Sequence, residues 1–185
     1  MSAHPVLPPS ADIVAEMQLA AAGRPTTAGG VLTTTIVDLV ESNLRQWDLE
    51  DATRDAGASD AQVANAKREI DRLNVGRHRL VERIDAAIDS VLDQPATAPL
   101  ATESPGMVLD RLSVLVIRRA RTAEASWHDP KLADRVRTLE AQVGALSGAL
   151  DSYMEELGAG TRRFLRYQSL KLYGPSTEAT ASAKE

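Results

Sequence analysis

The sequence predicts an all-α fold: an antiparallel bundle of four main helices with a further packing helix at the C-terminus. Three observations lead there. Aromatic residues are only 3% of a chain that is 43% hydrophobic, so Leu, Val, Ile and Ala must fill the core, and these suit helix-on-helix packing. Apolar residues recur at spacings of three and four along several long stretches, which is the helical period. Prolines lie between those stretches or at their starts, where they break or begin helices. A β-sandwich would call for more aromatic and Thr-rich runs.

Residues 1–34 mix Pro5, Pro8, Pro9, Pro25 and Gly29-Gly30 with one marginal helix, Ala11 to Ala22, and read as a mobile arm. The first firm helix is expected from Thr35 to Asp55. Its face of Ile36, Val40, Asn43, Trp47, Glu50 and Arg54 mixes apolar with polar groups. After a break at Gly57, Ser59-Asp60-Ala61-Gln62 has the form of a capping box. It opens a long helix from Asp60 to Leu92, with a seam of Val63, Ala66, Ile70, Leu73, Leu80, Ile84, Ala87 and Val91 interrupted at Arg77.

Pro95 and Pro99 end that helix, and Ser104-Pro105 supplies an N-cap and first-turn proline for a third, Gly106 to Ala125. This one is apolar nearly all round, the mark of a central helix, until Arg118, Arg119 and Arg121 complement the dipole of its last turns. Asp129-Pro130 begins a fourth, which continues to Leu157 through Leu139, Val143, Leu146 and Leu150. Beyond Gly158-Ala159-Gly160 a last helix is expected from Thr161 to Tyr173, with Phe164, Tyr167 and Tyr173 among Arg162, Arg163, Arg166 and Lys171. The domain therefore spans 35–174, and 175–185 reads as a disordered tail.

A formal charge of -5 and a pI near 5.3 argue against a chain held to nucleic acid by bulk positive charge. There is no cysteine, which removes disulfides, thiolate metal sites and cysteine nucleophiles. Neither a signal-like N-terminus nor an apolar run long enough for a membrane span is present, so the expected location is cytoplasmic. No metal-ligand spacing links His4, His78 and His128, and no phosphate-binding glycine loop or dinucleotide fingerprint occurs. No cofactor is expected, and the reading leans away from an enzyme.

What remains is a recurring set of charged and polar residues beside the apolar faces. Trp47, Glu50, Asp51 and Arg54 stand on the first firm helix, Asn74 and Arg77 on the second, and Glu103, Ser104, Asp110 and Arg111 at the start of the third. A charge in the seam at Arg77 demands a partner, because stranding a buried charge costs about 3–5 kcal/mol. Glu50, Asp51 and Asp110 are the candidates. Such a set serves either as an ion-pair network that sets helix register or as a polar pocket for a small anionic ligand. Two other readings compete. Glu50, Asp51, Glu82, Asp85 and Asp110 loosely imitate the inward carboxylates of magnesium-dependent all-α hydrolases acting on nucleotide or sugar-nucleotide phosphates, although no paired acidic motif is present. The basic and aromatic last helix could bind single-stranded nucleic acid weakly. Heptad seams also make a homo-oligomer, or another protein partner, credible.

Trp47-Asp48-Leu49-Glu50-Asp51 with Arg54, Lys67-Arg68-Glu69-Ile70-Asp71-Arg72-Leu73-Asn74 with Arg77, Glu82-Arg83-Ile84-Asp85, and Glu103-Ser104-Pro105-Gly106-Met107 through Asp110-Arg111-Leu112-Ser113 together resemble the bacterial DUF4254 family. The resemblance spans about Thr35 to Tyr173. It implies no established activity, and by association an accessory role in cell-surface glycan biosynthesis beside glycosyltransferases. Val75-Gly76 and His78-Arg79 depart from the family pattern, where a glutamine and an asparagine would be expected near the arginine.

Overall fold

The computed structural model describes residues 7–27 and 29–170. It contains α1 (Ser10–Ala21), α2 (Val31–Thr53), α3 (Asp60–Asp89), α4 (Pro105–Ser126) and α5 (Ala133–Gly158), with a 3-10 turn at Pro130–Leu132 leading into α5. No strand forms among the described residues.

Local chemistry sets most of the helix starts. Ser59 and Gln62 form the expected capping box at α3, Ser104 and Pro105 open α4, and the Asp129 carboxylate accepts from the Lys131 N–H at 3.1 Å before α5. These contacts satisfy backbone donors that a helix end leaves without partners. Both α1 and α2 lack such a local cap, α2 starting after Gly30. Pro9 precedes α1 without a side-chain bond, and the cap arrives from α5: Asp151 accepts from the Ser10 N–H at 2.9 Å and from the Ser10 hydroxyl at 2.6 Å.

Cross-helix pairs give the directions. Thr35 meets Arg83 and Glu50 meets Lys67, so α2 and α3 are antiparallel. Asp85 meets Gly106 while Arg77 faces Asp110, so α3 and α4 are antiparallel as well. It follows that α2 and α4 run parallel, as Asn43–Asp110 and Asp48–Arg121 show. Arg119–Glu140 and Tyr153–Glu103 turn α5 antiparallel to α4. The all-round apolar helix is central as expected, because α4 packs against all four others.

Three expectations need correcting. The segment read as a mobile arm contributes to the core, with Ile13 and Met17 of α1 almost fully buried. A helix this short is marginal alone, and burial of its inner face is what holds it. The α3 seam changes phase after Arg77: Val81, Ile84 and Ile88 are buried while Ala87 and Val91 face outward. A strict heptad drifts on a straight helix of 3.6 residues per turn, so the stripe that faces α4 moves round.

The third correction concerns the last helix. Residues 161–170 are extended, not helical. They lie along α3 as a strap, and three of their N–H groups donate to side chains: Phe164 to Gln94 at 2.6 Å, Tyr167 to Asp85 at 2.8 Å and Ser169 to Glu82 at 2.7 Å. Arg163 pairs with the Pro99–Ala101 backbone. Tertiary acceptors thus replace the internal bonds a helix would have made. Residues 171–173 and the tail from 175 lie outside the described residues.

Candidate functional site

The directions of α2, α3 and α4 bring one polar layer together. Asn43 occupies a place on the buried stripe of α2 that Leu39 and Val40 would otherwise continue, and it is 6% exposed. Its amide Nδ2 donates to Asp110 Oδ1 at 2.8 Å and to Ser113 Oγ at 2.7 Å. The Ser113 hydroxyl donates on to the Asp110 carbonyl at 2.7 Å. Asp110 thus meets the expectation of a carboxylate near Arg77, but at long range: Arg77 Nε to Asp110 Oδ2 is 3.9 Å. That is Coulombic contact without a hydrogen bond. Arg77 Nε is shut off from solvent and has no hydrogen-bond partner, and the same holds for Gln46 Nε2, one turn along α2 from Asn43.

A second polar node lies two turns further along α3. Asp85 is fully buried, and no cation among the described residues pairs with it. Its Oδ1 accepts from the Gly106 N–H at 2.7 Å and its Oδ2 from the Tyr167 N–H at 2.8 Å, with the Ser104 hydroxyl as a third donor. Burial raises its pKa above the ordinary carboxylate value, and those three donors oppose the rise. Nearby, the Tyr153 hydroxyl donates to the Glu103 carbonyl at 2.8 Å. Burial first, and the Asp85 charge second, push the Tyr153 phenol upward. The Ser104-Pro105-Gly106 run therefore seats the start of α4 on α3.

The sequence-predicted residues fall in three separate places. Glu50, Asp51 and Arg54 form a surface cluster: Arg54 reaches Asp51 at 2.9 Å and Glu50 at 3.7 Å, with Lys67 at 3.9 Å from Glu50. Trp47 packs half-buried against the core. Arg77 and Asp110 belong to the polar layer, each half-buried, and Asn74 stands half-buried one turn before Arg77. Glu103 turns its carboxylate to exposed Arg111, at 3.1 Å, while Ser104 serves the Asp85 node. One polar pocket that takes in Glu50, Arg54, Arg77, Glu103 and Asp110 together, as the predicted set would allow, is not assembled. The reason is axial level rather than face, since Glu50 lies seven residues past Asn43, where α2 meets Asp110, about two turns further along the helix.

Among the described residues, no three or more histidine or acidic side chains gather as a metal would require. The carboxylates suggested for a hydrolase are spread over all three places. The basic and aromatic helix is replaced by the strap, where Phe164 is buried, Tyr167 packs edge-on against His78 with ring centroids 5.5 Å apart, and Arg162 and Arg166 pair with Glu156 and Asp89.

Sequence reasoning missed Gln46 and Asp151 and undervalued Asn43, Asp85 and Gly106. Asn43 carried a readable signal, as a polar residue inside an apolar stripe. Asp85 and Asp151 carried none, because their partners are backbone N–H groups and serine hydroxyls distant in the chain, which no local side-chain pattern encodes.

Fold and site together define a helical bundle scaffold whose interior polar groups are tied mostly to backbone and hydroxyl partners. The chain belongs to the DUF4254 family of proteins of unknown function, whose model matches residues 33–165. That match covers the Arg77 layer, Asp85 with Ser104 and Gly106, and the first half of the strap, and it leaves Tyr167 and α1 outside. No curated protein and no solved structure matches the chain.

Proposed function

We propose that this protein acts by binding rather than by catalysis, as a helical accessory protein that receives a small anion at Arg77, in keeping with a role beside glycan-assembly enzymes. One observation carries the reading: the Arg77 Nε donor is enclosed and unbonded, and its nearest carboxylate stands 3.9 Å away. Asp110 already accepts from Asn43 on its other oxygen, which favours that separation. A buried donor without a partner carries a desolvation cost of about 1–3 kcal/mol, and an acceptor atom from a ligand would relieve it. The guanidinium suits a phosphate or carboxylate through its planar fork.

The test is thermal unfolding of the full chain with inorganic phosphate, pyrophosphate and a nucleoside diphosphate sugar, with and without magnesium. A ligand at a hundred times its Kd adds about 2.7 kcal/mol of stability. Stabilisation by one of these anions, lost in Arg77→Met, is the expected result. A flat response to all three, or one that Arg77→Met leaves intact, sinks the proposal. Turnover of the nucleotide sugar with magnesium would replace binding by hydrolysis.

A further inference from the structure

Apart from the Arg77 layer, a cleft of about 850 Å³ opens where the chain entering α1, the end of α3 and the last turns of α5 meet. Leu7, Ile13, Leu92, Leu150 and Met154 form its apolar lining. Ile13 and Leu150 are each 1% exposed, so the floor belongs to the packed core. The walls are held in place: Ser10 and Asp151, which both border the cleft, bind each other through two contacts. A volume of this size is within the range of roughly 300–1,000 Å³ that receives small organic molecules.

The polar lining is all of one sign. Asp93, Asp151 and Glu155 border the cleft, and among the described residues no Lys, Arg or His does. Asp151 is engaged by Ser10, but the carboxylates of Asp93 and Glu155 have no hydrogen bond or ion pair among the described residues. Their neighbours differ. Glu156, next to Glu155, is paired with Arg162 at 2.9 Å, and Glu103 and Glu140 also have arginine partners. Asp93 and Glu155 are both exposed at the rim, so their field is screened by water and salt, but its sign still favours a cation over an anion beside the apolar wall.

We propose that this cleft binds a small amphiphile with an apolar body and a cationic amine head, the body on Ile13, Leu150 and Met154 and the amine between Asp93 and Glu155. Its charge preference is opposite to that of Arg77, so the two sites succeed or fail independently.

Three probes with one tail and different heads, n-decylammonium, decanol and decanoate, separate the contributions below their aggregation limits. The full chain carries isotope-labelled methionine methyls: Met154 reports the cleft, and Met107 on α4 serves as the internal control. The expected result is a saturable Met154 shift, with decylammonium binding more tightly than decanol and decanoate weakest. The double variant Asp93→Asn, Glu155→Gln should weaken decylammonium roughly tenfold, about 1.4 kcal/mol, and leave decanol unchanged.

Gly158→Phe should abolish binding by filling the mouth while the fold is kept, because a Cβ at 158 meets nothing within 4 Å. Equal binding of decylammonium and decanol overturns the proposal. So do the absence of a saturable Met154 shift, indifference to the double variant, and binding that survives Gly158→Phe.

Discussion

Asp85 and Gly106 meet so closely that no side chain fits between them. Oδ1 of Asp85 accepts from the Gly106 N–H at 2.7 Å, and a Cβ built on residue 106 would stand 2.7 Å from that oxygen and 2.8 Å from the Val81 carbonyl. The start of α4 thus rests directly on α3, and one buried carboxylate caps it.

Gly106→Ala is expected to destabilise the fold by about 3 kcal/mol, since the methyl group meets helix backbone that cannot move aside. Urea unfolding checks this. A loss below half a kcal/mol would mean that α4 can slide on α3 without cost.

Asp85 also sets a pH dependence. Its pKa is raised in the folded state, with burial the main cause, so the folded chain holds that proton more tightly than the unfolded chain. Its contribution to stability is fully present below the ordinary carboxylate range and is lost as pH rises through the raised folded value. The stability of the wild type relative to Asp85→Asn should therefore fall with rising pH across that window. Parallel pH profiles for the two proteins would exclude the assignment.

Asp151→Ala should remove the only side-chain cap of α1, at a cost of about 1–2 kcal/mol. Hydrogen exchange should quicken first in α1 from Ile13 to Met17, ahead of α3 and α4. Uniform acceleration through all five helices would argue instead for a global role.

In the polar layer the two ends of one ion pair should behave differently. Arg77→Met is expected to change stability by less than about 1 kcal/mol, because its Nε makes no hydrogen bond and an apolar replacement removes a buried donor. Asp110→Ala should cost about 2–3 kcal/mol, because Asn43 loses an acceptor and Arg77 its counter-charge. Equal losses at the two positions would show that the guanidinium is an ordinary structural partner.

For the strap, Phe164→Ala should cost about 3–4 kcal/mol through loss of a side chain that is 4% exposed. His78 and Tyr167, in edge contact, supply the local readout: the His78 ring resonances should shift as the strap loosens. An unchanged His78 environment would place the loss in the core beneath Phe164 alone.

The helices of this protein were legible wherever their signals were local. Ser59 with Gln62, Ser104 with Pro105, and the oily run of α4 each act within a few residues, and the structure uses them as read. Arg77 announced its need for a carboxylate by interrupting a seam, and Asp110 stands opposite it. Pattern failed where a segment has two plausible local states and a distant group chooses between them. The stretch after Gly160 has a helical composition, yet Glu82, Asp85 and Gln94 accept its N–H groups and hold it extended.

The amino-acid sequence by itself determined the all-α class, the three helix starts with local caps, the central place of α4 and the family. Spacing, caps and burial preference act over one or two turns and suffice for those. Only the tertiary structure decided that α1 joins the core, that the last segment is a strap, and which carboxylates meet a cation. Those outcomes depend on contacts such as Ser10–Asp151 and Tyr167–Asp85, between residues far apart in the chain. Their backbone donors are common to almost every residue, so no residue type marks them in advance.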